Sequence, residues 1–292
     1  MAAAPDPSQH PDVGERPRFT VVVPAVNEER YLPACLASLA AQDFDGEVEV
    51  VVVDNGSTDR TAEVARRLGA RVVQEPRPGV CFARQAGTEQ ARGQIVVSTD
   101  ADTTFDRGWL TRIDRRFRAR PDRVAVAGPC RFVAGPWWGA VYTTVVFGAV
   151  VLLHRLTGRV FYASATNIAF RRDAWTGYDT HLTQGGDELG LLRNLRRAGR
   201  LDFDNGNPTF TSSRRLQRGL AYNLLVTCLF YYLIGYGLNR LAGRRVLGTA
   251  PEFREADPVR VRKGRPRWQV AASSVAAVLA ILLVTRLGWD LA

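Results

Sequence analysis

Lysine is nearly missing from this chain: Lys263 is the only one among 292 residues, yet Lys and Arg together number 39 and the formal net charge is +10. The basicity is therefore arginine's, and part of it is a compositional bias rather than a set of sites. Cysteine is scarce as well. Cys35, Cys81, Cys130 and Cys228 lie far apart with no CxxC spacing, which argues against a thiolate metal site or a disulfide framework and for reduced core or membrane residues. The first residues, Met1 to Pro17, are rich in proline and polar side chains and contain no apolar h-region. No secretory signal is expected, and the domain that follows is expected in the cytoplasm. No recognisable module interleaves basic residues with aromatics. The charge thus points to anionic lipid or phosphorylated substrates rather than nucleic acid.

What the chain does have is 46% apolar residues, enough for a real core. From Arg18 onward, short β-branched runs alternate with helix-period segments, the pattern of a doubly wound α/β sheet. Phe19–Val23 reads as the first strand, followed by a helix from about Glu28 with Leu32, Cys35, Leu36 and Leu39 on one face. Val48–Val53 is the second strand. Asp59 is placed to cap the next helix and Gly69 to end it. Arg71–Gln74 gives a third strand, Ala83–Ala91 a helix, and Gln94–Thr99 a fourth strand running into Asp100. Near-continuous valine, in place of apolar/polar alternation, indicates strands covered on both faces. A helix containing Trp109, Leu110, Ile113 and Phe117 then leads to the strand Val124–Ala127.

Beyond that point the composition changes. Trp137 to Leu153 and Gly219 to Leu238 carry no charged residue, and Val270 to Thr285 is a third apolar stretch. The last is long enough to span a bilayer with its flanks, and Arg260, Arg262, Lys263, Arg265 and Arg267 precede it as cytoplasmic anchors. A single crossing by Trp137–Leu153 would put Asp102 and Asp187 on opposite sides of the membrane, against a shared site. That stretch and Gly219–Leu238 are expected to lie in the membrane interface, the former alternatively as a buried core helix. The expected organisation is a tail (1–17), an α/β domain (18–213), a membrane-interface helical segment (214–258), and a basic segment with a transmembrane helix (259–292).

The chemistry concentrates at strand ends. Asp100-Ala101-Asp102 puts two carboxylates where open α/β sheets bind ligands. Such a pair cannot face apolar protein cheaply, so it requires solvent or a cation, and a hard divalent ion beside a phosphate fits. Asp54, ending the second strand, can accept hydrogen bonds from a base N–H or a ribose hydroxyl, or can form an Asx-turn before Gly56. Asp187 and Glu188 would favour a helix N-terminus whatever their role.

Four segments stand in order: Val21-Val22-Val23-Pro24-Ala25-Val26-Asn27-Glu28-Glu29, Val53 to Asp59, Ala83-Arg84-Gln85-Ala86-Gly87 leading to Thr99-Asp100-Ala101-Asp102, and Gly186-Asp187-Glu188-Leu189 with Arg193. From about Arg18 to Ser213 the chain resembles the family 2 glycosyltransferases of GT-A fold. The resemblance implies that Pro24, Ala25, Asn27, Glu28 and Asp54 hold the nucleoside, that Asp100 sits against the donor sugar or ribose, and that Asp102 ligates Mg²⁺ or Mn²⁺. Arg84 would reach the donor or take a salt bridge on its helix. Asp187 matches the family's catalytic base. The residue before it is Gly186 where the family usually has Glu, so Glu188 is the alternative base. Arg214 and Arg215 lie where membrane-linked members carry a basic segment that closes over the diphosphate, although no Trp follows; contact with anionic lipid is the other reading.

The resemblance implies a membrane-associated, inverting, metal-dependent transferase that moves a sugar from a UDP- or GDP-sugar to a lipid or lipid-linked acceptor. It would act at the cytoplasmic face of the cell membrane. Two other classes compete: a catalytically silent scaffold of the same fold, and a nucleotidyltransferase. The intact Asp54, Asp100, Asp102 and Asp187 count against the first. The second would more naturally carry a Gly-rich, lysine-containing phosphate loop, which Pro24 to Glu28 does not provide. The sugar, the acceptor and the oligomeric state are not legible.

Overall fold

The computed structural model of the chain describes residues 16–180 and 187–223, with isolated positions at 234, 238 and 242. Four parallel strands form one half of a seven-stranded sheet: β1 (Phe19–Ala25), β2 (Val48–Asp54), β3 (Arg71–Gln74) and β4 (Ile95–Ser98), in the order β3-β2-β1-β4. The valine runs alternate sides as a pleat requires. Val22, Val51, Val53 and Val96 enter one apolar core, and Val21, Val23, Val52 and Val97 enter the other. This is the two-sided burial expected from their composition.

The second core is closed by α1 (Leu32–Ala40), α2 (Thr61–Arg67) and α4 (Trp109–Ala119), which contribute Leu32, Cys35, Leu36, Leu39, Val64, Leu110, Ile113 and Phe117. On the opposite face, α3 (Val80–Glu89) packs so closely that Gly87 is obligatory. A Cβ there would meet Val22 Cγ1 at 2.4 Å and Val53 Cγ2 at 2.7 Å.

The first helix starts later than expected, at Leu32 rather than Glu28. Asn27 adopts a left-handed backbone (φ 54°), and the Glu28 N–H donates to Thr61 Oγ1 at 2.8 Å, so this stretch is held as a loop at the sheet edge. The N-cap position of α2 is Arg60 rather than Asp59, which sits one residue earlier and accepts the Thr61 N–H on Oδ1 at 2.9 Å; Gly69 follows the helix with φ +83°.

The sheet continues beyond β4 with the expected Val124–Ala127 strand and with strands that periodicity had not announced. After β5 (Thr103–Phe105), β6 (Arg123–Ala127) and β7 (Cys130–Val133) come β8 (Ile168–Arg171), β9 (Arg200–Phe203) and β10 (Thr209–Ser212). β8 lies antiparallel between β4 and β6, with β9 at the edge, while β5, β10 and β7 form a separate three-stranded sheet. The fold is therefore mixed α/β with a mostly parallel sheet, and the small sheet grows directly out of the segment after Asp102.

Between β7 and β8 runs α5 (Trp137–Thr157), which covers the charge-free stretch Trp137–Leu153. One face buries Gly139, Thr143, Val146, Phe147 and Val150, with Phe147 stacked 6.1 Å from Phe203. Its other face leaves Trp137, Val141, Leu152 and Leu156 exposed, Leu156 by 73%. Among the described residues α5 is the one helix long and apolar enough to cross a membrane by length and composition. Because its central turns are built into the core, it presents only half of its circumference outward. That arrangement lies between the two expectations, interfacial and buried. The tail, the apolar stretch from residue 224 onward, the basic segment and Val270–Thr285 lie outside the described residues, isolated positions aside.

Candidate active site

In the order β3-β2-β1-β4 the chain leaves β1 toward one side of the sheet and later returns to its other side, so the carboxyl ends of β1 and β4 flank a topological switch point. Such a crevice is where ligands bind in open α/β sheets. Around it stand the loop Pro24–Glu28, Asp54 at the end of β2 opposite Ala25 in register, and the turn Thr99–Asp102 after β4.

Asp102 is the most constrained of these carboxylates. Its Oδ1 accepts a 3.1 Å hydrogen bond from Thr211 Oγ1, and its Oδ2 lies 3.1 Å from Arg214 Nε. Its backbone carbonyl accepts the Ser212 N–H at 3.1 Å. Burial pushes the Asp102 carboxyl above its ordinary range; Arg214 opposes this, and the Asp100 charge adds to it. The guanidinium of Arg214 also forks onto Glu28, with Nη1 donating to Oε2 at 3.0 Å and Nη2 to Oε1, and lies 4.8 Å from the centre of the Tyr31 ring. Burial raises the Glu28 carboxyl too, against the pull of Arg214. For Arg214, burial works against the charge, but the hydrogen bond to Glu28 and the Asp102 and Glu28 charges outweigh it and raise its pKa. Beneath them the buried Cys35 thiol is pushed up, by burial first and then by Asp102, Asp100 and Glu28.

Asp100 faces the other way. Its Oδ1 accepts a 2.7 Å hydrogen bond from Nη2 of Arg84, a buried arginine on α3. Of the two readings open for Arg84, a salt bridge is present, and its partner is the site carboxylate itself.

Asp54 is buried, and its Oδ1 accepts the Ser57 N–H at 3.0 Å, so the turn-forming role is real. Oδ2 has no hydrogen-bond partner among the described residues. Asn27 belongs to the same scaffold: its side-chain carbonyl accepts the Thr58 N–H at 2.8 Å and its own N–H donates to Ser57 Oγ at 3.1 Å. Pro24 and Ala25 are the last two residues of β1, and Ala25 accepts the Asn55 N–H at 2.9 Å.

The structure adds residues that sequence reasoning missed. Thr211 and Tyr31 complete the surroundings of Asp102 and Arg214. Behind them Asn167 and Asn207 form a buried polar hub. Asn167 Oδ1 accepts the Trp109 indole N–H at 3.1 Å, and its amide donates to the carbonyls of Pro129 at 3.0 Å and Asn207 at 2.8 Å. Asn207 in turn donates to the Trp109 carbonyl at 3.1 Å. This hub ties α4 and the start of β8 to the approach of β10, which delivers Thr211 and Arg214. No local pattern marks a buried asparagine, so the sequence held no signal for it.

Asp187 is the first residue of α6 (Asp187–Ala198); its side chain and the preceding residues 181–186 lie outside the described residues. Glu188 is half-buried and Arg215 exposed, and the positive charge of Arg215 acts on Asp102. The described residues thus bring together Pro24, Ala25, Asn27, Glu28, Asp54, Arg84, Asp100, Asp102 and Arg214, and leave the assembly of Asp187 with them open.

Among the described residues no group of three or more His, Cys, Asp or Glu converges as a metal cage. A Mg²⁺-like ion does not need one, since it is commonly held by one or two carboxylates plus substrate phosphates and water. The donor set here is oxygen-only, and two of its carboxylates, Glu28 and Asp102, are buried around one guanidinium, that of Arg214. The residues fit such an ion.

A mostly parallel sheet with acidic strand ends at its switch point defines an α/β protein whose ligand site lies at the carboxyl ends of its strands. A family description, "Glycosyl transferase family 2", matches residues 20–176, more than half of the chain, and the chain belongs to that family. It is 44% identical over 140 residues to an uncharacterised glycosyltransferase of Mycobacterium tuberculosis, covering 47% of this chain and 61% of that protein. It is 39% identical over 94 residues to a dolichyl-phosphate hexose transferase of Haloferax volcanii, covering 32% of this chain and 40% of that protein. In fold it is similar to glucosyl-3-phosphoglycerate synthase from M. tuberculosis, solved with Mn²⁺, UDP-glucose and phosphoglyceric acid (TM-score 0.55, 24% identity, 77% of this chain and 80% of that one). It is likewise similar to S. aureus TarS 1-349 solved with UDP-GlcNAc (TM-score 0.53, 20% identity, 72% and 67%).

Proposed function

We propose that this protein transfers a sugar, with inversion, from a UDP- or GDP-sugar to a lipid or lipid-linked acceptor at the cytoplasmic face of the cell membrane. The observation that carries the reading is the gathering of Asp54, Asp100 and Asp102 at one switch-point crevice, with Arg214 brought onto Asp102 and Arg84 onto Asp100. The UDP-sugar complexes of the structural neighbours support the donor class, and the dolichyl-phosphate hexose transferase supports a lipid-phosphate acceptor.

In this reading Asp54 Oδ2 accepts from the nucleoside, and Pro24 to Glu28 line its approach. Asp100, steadied by Arg84, orients the ribose or donor sugar. Asp102 would hold Mg²⁺ or Mn²⁺, whose charge would offset that of the donor's diphosphate. Arg214 and Arg215 stand beside the same charge. Asp187, at the start of α6, takes the proton from the acceptor nucleophile on the sugar face opposite the diphosphate, so in-line attack inverts the anomeric centre. The outward apolar face of α5, with Gly219–Leu238, rests in the membrane interface, and Val270–Thr285 spans the bilayer.

A thermal-shift screen of nucleotide sugars with and without Mn²⁺ tests the donor and the metal together. Ligand at 100 times its Kd adds about 2.7 kcal/mol of stability. A metal-dependent rise with one UDP- or GDP-sugar is expected. No shift with any nucleotide sugar would leave the scaffold reading in its place.

A further inference from the structure

Arg214 ends a chain segment 186 residues away from Glu28, yet its guanidinium is spent almost entirely on the two acidic residues of the crevice. Nη1 and Nη2 donate to the Glu28 carboxylate, Nε lies 3.1 Å from Asp102 Oδ2, and the flat of the group covers Tyr31. Thr211 occupies the other oxygen of Asp102. Both oxygens of the carboxylate assigned to the metal are therefore engaged, inside a pocket where the Arg214 and Asp102 side chains are 15% and 10% exposed. A divalent ion at Oδ2 would share that oxygen with the guanidinium and sit beside a second positive charge. Two cations packed around one buried carboxylate repel each other with little solvent to screen them.

We propose that Arg214 is an internal counter-ion whose exchange makes divalent-metal binding conditional on the donor's diphosphate. The proposal rests on the reading of Asp102 as the metal ligand. A hydrated ion alone offers Asp102 charge but leaves Arg214 beside it on Glu28, where the two cations repel, and among the described residues there is no cage of three acidic groups to compensate. The diphosphate changes both sides of the exchange. Its oxygens complete the ion's coordination, and its planar pairs of acceptors match the guanidinium fork at least as well as the Glu28 carboxylate does. Arg214 sits at the start of a short 3-10 turn, Arg214–Arg218, that follows β10, so a side-chain swing is enough and the sheet need not move. Metal and nucleotide then bind with positive coupling. By linkage each raises the other's affinity by the same factor, and couplings of this kind commonly run to roughly 5–150-fold.

Calorimetric titration of the full-length protein with Mn²⁺, alone and with saturating UDP, measures this directly. In the wild type Mn²⁺ alone should bind weakly, with UDP tightening it roughly tenfold or more. Arg214→Met should bind Mn²⁺ alone roughly tenfold more tightly than wild type, and the coupling to UDP should shrink. Arg214→Lys keeps the charge without the fork and should fall between the two. It also serves if the methionine variant does not fold, as a melting curve will report. Equal affinity for Mn²⁺ alone in wild type and the Arg214 variants, with Asp102→Asn losing Mn²⁺-dependent UDP binding, overturns the counter-ion while sparing the metal assignment. Mn²⁺-dependent UDP binding that survives in Asp102→Asn overturns both.

Discussion

Arg84 donates a 2.7 Å hydrogen bond to Asp100, and the pair is unequal in depth: the arginine side chain is 5% exposed and the carboxylate 29%. A buried cation on α3 thus holds an anion at the lip of the crevice. Hydrogen bonds to charged groups contribute about 1.5–3 kcal/mol, so Arg84→Met should weaken nucleotide-sugar binding by roughly ten- to a hundredfold through a loosened Asp100. Calorimetry with the donor checks it. An unchanged Kd would mean that Asp100 does not touch the donor.

Asp102→Asn should abolish metal-dependent donor binding, because a neutral amide is a poorer ligand for a hard divalent ion and leaves the diphosphate charge uncompensated. Titration with a nucleotide sugar in the presence and absence of Mn²⁺ reads the loss. Retained metal dependence would remove Asp102 from the metal site.

Asp187→Asn should leave donor binding intact and lower kcat by roughly 10²–10⁴-fold, the usual worth of a general base. Steady-state kinetics beside the same change at Glu188, Glu188→Gln, separates the two candidates. A near wild-type rate for Asp187→Asn with a dead Glu188→Gln moves the base by one residue.

Asn167→Ala should destabilise the fold and the site together. It strips partners from the Trp109 indole N–H and from the Pro129 and Asn207 carbonyls, and an unsatisfied buried polar group costs about 1–3 kcal/mol. Urea unfolding measures the loss. Stability within about 0.5 kcal/mol of wild type, the range of an ordinary surface substitution, would show that the hub holds nothing in place.

The outward face of α5 should carry part of the membrane affinity. Leu152→Glu with Leu156→Glu places two charges on that exposed apolar stripe and should lower flotation with anionic liposomes while leaving the melting temperature unchanged, since neither residue faces the core. The contrast is sharpest in protein truncated after Pro258, where the proposed span is gone. Flotation unaffected by the two charges would take α5 away from the membrane.

The sequence by itself determined the layered α/β class and most of the crevice, because those properties are local. Valine runs report two-sided burial one residue at a time, and Asp54, Asp100 and Asp102 stand at strand ends whichever neighbours the strands choose. Only the tertiary structure decided that β8 runs antiparallel between β4 and β6 and that β5, β7 and β10 make a second sheet. Strands of three or four residues carry too little periodicity to choose a partner, and their pairing follows packing context rather than propensity. The same holds for Arg214, for the Asn167 hub and for the half-burial of α5. Each depends on segments far apart in the chain meeting at one point, and the free energy that selects such a meeting belongs to the contact and not to either segment alone.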